Sequence, residues 1–184
     1  FPLLTPLRTD TEEFPRITNL NLHAAFLLTA AQGVHIKQNL LSAKNPDKII
    51  ALVQIPSAIN RIVWLPSDGN KKQWTTLEEI LLCMSNEIFP GYRISESLLF
   101  KIARDADVEI NERTEKDFIQ EVRNTLENRE NSFAVRLTAS STSETLLKFL
   151  KEKLLLDDDD IYISKTLLNP ATLKELTNIE EGEK

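Results

Sequence analysis

The sequence predicts an α+β fold, a mixed β-sheet of about five to six strands with helices packed against it in two layers. Three patterns carry that expectation. "LHAAFLLT" (Leu22–Thr29) and "IIALVQI" (Ile49–Ile55) are near-continuous apolar runs of strand length, as in strands covered on both faces. "FKIARDADVEI" (Phe100–Ile110) and "FAVRLTA" (Phe133–Ala139) alternate apolar and polar residues, as half-buried strands do. Among the later strands, apolar residues recur at helical spacing behind Ser or Thr with an acid three positions on, the capping-box signature.

Taken in order, residues 1–20 carry three prolines and no sustained period, and read as an extended entry segment. Residues 21–179 form the predicted domain, and 180–184 a frayed end or the beginning of a linker. After the two apolar strands, "RIVWL" (Arg61–Leu65) is a short third strand bounded by Pro66, and "PSDGNKKQ" a turn-rich loop. Thr75 and Thr76 each precede a Glu by three, and Leu77, Ile80, Leu81, Met84 and Ile88 make one apolar stripe that Pro90-Gly91 ends. Thr114 with Asp117 opens a second helix through Phe118, Val122 and Leu126. Ser141 with Glu144 opens a third, carrying Leu146, Leu147, Leu150 and Leu154. "IYI" (Ile161–Ile163) is a last short strand, and Asn169 with Pro170 at the first helical position starts a final helix.

With 184 residues, 41% hydrophobic and 27% charged, the chain fits one soluble domain. A net charge of −6 argues against gripping nucleic acid, which needs concentrated Lys and Arg. No apolar run approaches the roughly 20 residues of a membrane-spanning helix, and no signal peptide is visible. The chain starts at Phe1 and its single methionine is Met84, so it is expected to be a piece of a longer protein. A lone cysteine, Cys83, suits a reducing compartment such as the cytoplasm, and is read as a small core or near-core thiol rather than a nucleophile.

The candidate chemistry is sparse. In a strand, Asp105, Asp107 and Glu109 would share one face at about 7 Å steps, close enough to hold a hydrated cation. A solvated face with Lys101 is the favoured alternative, because nothing in the pattern completes a coordination shell. Arg104 falls on the opposite, apolar face with Phe100 and Ile102, where a guanidinium must find a carboxylate or a phosphate, an ion pair within or between subunits being favoured over a ligand contact. Arg104, Asp105, Asp107 and Arg136 are therefore structural or interface candidates. The run Asp157–Asp160 lacks the spacing, glycine and closing glutamate of a calcium loop, and reads as an acidic stop after a helix. His23 and His35 have no nucleophile or acid at diagnostic spacing, and the four glycines form no phosphate cradle. Lys71 and Lys72 read as surface. No catalytic, cofactor-binding or metal residue is assigned.

Several stretches, in this order, resemble the middle or head domain of the bacterial polyphosphate kinases that phosphorylate their own histidine. They are "FPLLTPLRTDTEEFPRITNLNLHAAFLL", "VQIPSAINRIVWLP", "TLEEILLCMSNEIFPGYRISESLLFKIARDADVEI", "FAVRLT" and "LLLDDDDIYISKTLLN". "IFPGY" and the F-x-I-x-R-D-A-D segment are the more specific of these; Lys101 stands where arginine is common and Ala103 where threonine is common. The resemblance implies a parent enzyme that reversibly transfers the terminal phosphate of ATP to polyphosphate, with Mg²⁺ and a phosphohistidine. It implies that the phosphorylated histidine and the main phosphate-binding arginines lie after Lys184, and that the head domain serves dimerisation and domain orientation. On that reading the chain alone is inactive and takes no cofactor; its parent is a cytoplasmic homodimer or higher oligomer using ATP, ADP and polyphosphate, with peripheral membrane association left open. Two alternatives belong to other classes: a stand-alone metal-dependent phosphoryl-transfer or hydrolytic domain using Asp105, Asp107 and Glu109, or a free-standing protein-interaction module.

Overall fold

Five consecutive residues, Ala24 to Leu28, are all at most 3% exposed, because the strand they form has packing partners on both faces. The computed structural model describes residues 6–7, 14–15, 17–30, 48–66, 72–105 and 133–177. The helix expected over Thr114–Leu126, together with His35, Lys71, Asp107 and Glu109, lies outside the described residues.

The main sheet contains β1 (Pro6–Leu7), β2 (His23–Ala30), β3 (Lys48–Gln54), β6 (Tyr92–Arg104), β7 (Ala134–Ala139) and β8 (Ile161–Ile163). Its order is β1-β3-β2-β6-β7-β8. All pairs are antiparallel except β7 with β8, whose parallel pairing needs a crossover. Helix α3 (Glu144–Leu154) supplies it. The sheet is therefore mixed, as the sequence predicts. A separate two-stranded sheet pairs β4 (Ile62–Leu65) with β5 (Gln73–Thr76). β5 replaces the end of the expected loop: the turn residues mark the reversal, but "QWTT" is too short to show an alternation.

The core lies on both sides of the sheet. On one side Leu146, Leu150 and Leu154 of α3 pack with Ala25, Leu27, Leu52, Leu98, Phe100, Ile102 and Leu137. On the other, Leu81 and Phe89 meet Ala24, Phe26, Leu28, Val53 and Leu99. The alternating parity of these two sets is the period-two geometry of a strand read along β2.

The helix stripe at 77–88 is split into α1 (Leu77–Cys83) and α2 (Ser85–Ile88). The Ser85 hydroxyl donates to the Leu82 carbonyl at 2.7 Å, a local bond that competes with the helical ladder at the break. Of the two threonines, Thr76 is the cap and accepts from the Glu79 amide. At the third helix Ser143, not Ser141, is the cap, accepting from Leu146; the Ser141 hydroxyl donates to Ser97 instead. α3 ends on Leu155, a left-handed residue at φ 56°, with the acidic run just beyond. That run closes on itself as a 3₁₀ turn over Asp158–Asp160, in which the Asp157 amide donates to the Asp160 carboxylate at 3.0 Å. A second 3₁₀ turn (Pro170–Leu173) leads into α4 (Lys174–Thr177), where a single helix was expected.

Candidate functional site

The strand read as Phe100–Ile110 begins eight residues earlier, at Tyr92, and its described part ends at Arg104. The missed half was hidden because Leu98, Leu99 and Phe100 are buried in succession, so alternation fails where both faces are covered. Phe100 and Ile102 share one face, and that face meets α3. Lys101 and Ala103, expected on a wet face, are half-buried, and the Lys101 ammonium donates to the Leu168 carbonyl at 2.6 Å. The 164–170 segment folds back over that side of the sheet.

Arg104 ties down the chain that precedes β2. Its Nε and Nη2 both donate to the Ile17 carbonyl at 3.2 Å, and its backbone amide donates to Asn19 Oδ1 at 3.0 Å. The Leu20 amide donates to the Ile102 carbonyl at 2.9 Å. β2 stops pairing with β6 at Phe100, so residues 17–20 occupy the edge that it leaves. Ile17 is buried in the α3-side core, so this stretch is packed against the domain, and it turns at Asn19 and Leu20, where Leu20 has φ 59°.

Asp105 is exposed directly after β6, and its backbone amide donates to Phe133 at 3.0 Å. Arg136 leaves β7 on the face opposite α3, with its guanidinium carbon 4.9 Å from the Tyr162 ring centre. Among the described residues, no three of His, Cys, Asp and Glu cluster closely enough to hold a metal.

His23 is fully buried, stacked on Phe100 with ring centres 5.4 Å apart. Its Nδ1 lies 3.1 Å from the Asn21 carbonyl. A carbonyl only accepts, so Nδ1 carries the proton and Nε2 presents a lone pair, which finds no partner. Burial, partly countered by the Asn21 bond, lowers the imidazole pKa to about 4.

Cys83 is exposed, which corrects the near-core expectation. Leu81 points inward, and two residues further on is about 200° around a helix, the opposite side.

Sequence reasoning missed the ion pair between Arg61 and Glu78, both buried. Glu175 of α4 accepts from the Arg61 and Ile62 amides, linking the C-terminal helix to β4. Glu78 stood at capping-box spacing from Thr75, a local signal that concealed its non-local partner.

Among the described residues, the molecule is a mixed-sheet α+β domain whose polar groups mainly fasten one segment to another. A family profile for the polyphosphate kinase middle domain matches residues 1–176, and the chain belongs to that family. It is 33% identical over 166 residues to the polyphosphate kinase of Bacillus anthracis, covering 89% of this chain and 22% of that protein. With the polyphosphate kinase of Lactiplantibacillus plantarum it shares 28% identity over 99% of this chain and 24% of the relative. A crystal structure of polyphosphate kinase from Porphyromonas gingivalis has the same fold, with a TM-score of 0.59 at 18% identity, over 91% of this chain and 22% of that one. The chain thus spans less than a quarter of the length of these relatives.

Proposed function

We propose that this chain is a non-catalytic middle domain that supports dimerisation and holds the flanking domains of a polyphosphate kinase in orientation. The observation that carries this reading is the family match over a chain that spans 22% of a relative named for the whole activity. In this reading the parent works in the cytoplasm and reversibly transfers the terminal phosphate of ATP to polyphosphate through a phosphohistidine. ATP, Mg²⁺ and polyphosphate are handled by its other domains.

Two features support a scaffolding role. His23 is sealed against Phe100, so its lone pair has no route to a phosphate donor. Trp64 and Trp74 face each other directly across β4 and β5, and are 41% and 39% exposed. Exposed paired tryptophans are the residue type that interfaces favour.

Light scattering on the full-length parent tests the assembly role. A dimer that dissociates on Trp64→Ser with Trp74→Ser is expected. A wild-type parent that is monomeric at working concentration contradicts it.

A further inference from the structure

On the face of β6, β7 and β8 opposite α3, the 164–170 segment leaves a cavity of about 350 Å³. Lys101, Arg136, Thr138 and Ser164 line it, with Leu167 and Leu168 as apolar wall. Lys101 lies directly opposite Thr138, and Ala103 opposite Arg136, so the two cations are diagonal neighbours on one face of the sheet. That register sets their Cβ atoms roughly 7–8 Å apart. Neither cation enters an ion pair among the described residues, and no described carboxylate lines this cavity. Two like charges in that position repel each other, and an anion between them reverses the sign of the interaction.

Both cations are held in place. The Lys101 ammonium gives one of its three protons to the Leu168 carbonyl and keeps two. Arg136 rests on Tyr162, and a guanidinium lying on a ring keeps its edge N–H groups available. An ammonium, a guanidinium and the nearby Thr138 hydroxyl suit a ligand with several acceptor oxygens set at wide angles, which is a tetrahedral oxyanion; the Ser164 hydroxyl is taken up by Thr166.

We infer that Lys101 and Arg136 form a binding site for a phosphate oxyanion in this cavity. The inference goes beyond the scaffolding role, since it gives the middle domain a ligand of its own. It stands on the geometry of this chain and requires no turnover by the parent.

The test is calorimetric titration of the chain with inorganic tripolyphosphate, beside glutarate as a carboxylate probe. Saturable tripolyphosphate binding is expected, weakened about tenfold by Arg136→Gln through loss of a charge-assisted contact. Lys101→Met should weaken it similarly, and Lys148→Gln, on α3, should leave it unchanged. Arg136 is exposed, so Arg136→Gln decides the matter even if Lys101→Met fails to fold. Absence of tripolyphosphate binding, binding indifferent to Arg136→Gln, or equal binding of glutarate overturns the assignment. Because no ATP is present, these outcomes are independent of whether the parent makes polyphosphate.

Discussion

The Arg61 guanidinium donates from Nε and Nη2 to the two carboxylate oxygens of Glu78, at 3.2 and 3.4 Å, with both side chains buried. This pair fixes the start of β4 to the first turn of α1. Breaking a buried pair from one side leaves an uncompensated charge, at a cost of about 3–5 kcal/mol. Glu78→Ala should therefore destabilise strongly in urea unfolding, and Arg61→Met with Glu78→Leu should recover much of the loss. A Glu78→Ala effect below about 1 kcal/mol, the range of exposed pairs, would contradict the buried geometry.

His23 makes stability depend on pH. Its folded pKa of about 4 lies below the ordinary 6.5, so the neutral imidazole is the form the fold accepts. The contribution is fully present above pH 6.5 and is lost as pH falls from there through 4. The upper bound on the loss is about 3 kcal/mol. Urea midpoints across this window should fall for the wild type, and the His23-dependent part should vanish in His23→Phe. An identical pH profile in the two proteins would refute the role given to His23.

Much of this architecture was legible because the local patterns were strong. The runs at Leu22–Thr29 and Ile49–Ile55 announced strands covered on both faces, and both lie in the centre of the sheet. Leu146, Leu150 and Leu154 predicted the buried stripe of α3. What stayed hidden depends on long-range pairing. Glu78 meets Arg61 17 residues away, and Glu175 meets it 114 residues away. Strand alternation alone puts Lys101 in water, since nothing near it in sequence announces that Leu168 folds over it. For Arg104 residue types point to a carboxylate or a phosphate; the described side-chain bonds run to the Ile17 carbonyl, a backbone group that residue types do not reveal.

Arg104→Ala should loosen the segment it fastens. The expected cost is about 1–3 kcal/mol, from leaving the buried carbonyl of Ile17 without these donors. Hydrogen exchange should accelerate at the Leu20 amide, which bonds Ile102, more than at the amides of β2. Unchanged protection at Leu20 would argue against the tether.

Leu155 carries a left-handed backbone at φ 56° while 81% of it is exposed, so it has little packing to lose. A Cβ in that conformation costs about 1–2 kcal/mol, partly offset in a glycine variant by the freer unfolded chain. Leu155→Gly is expected to stabilise by about 0.5–1 kcal/mol, seen as a higher Tm. A lower Tm would mean that the exposed leucine packs in a way this geometry does not provide.

The proposed role leaves catalysis to the other domains of the parent and gives architecture to this one. The most direct test is polyphosphate formation from ATP and Mg²⁺, run side by side on residues 1–184 and on the full-length parent. Polymer from the folded parent and none from the chain alone is the expected result. Polymer made by the chain alone would contradict it.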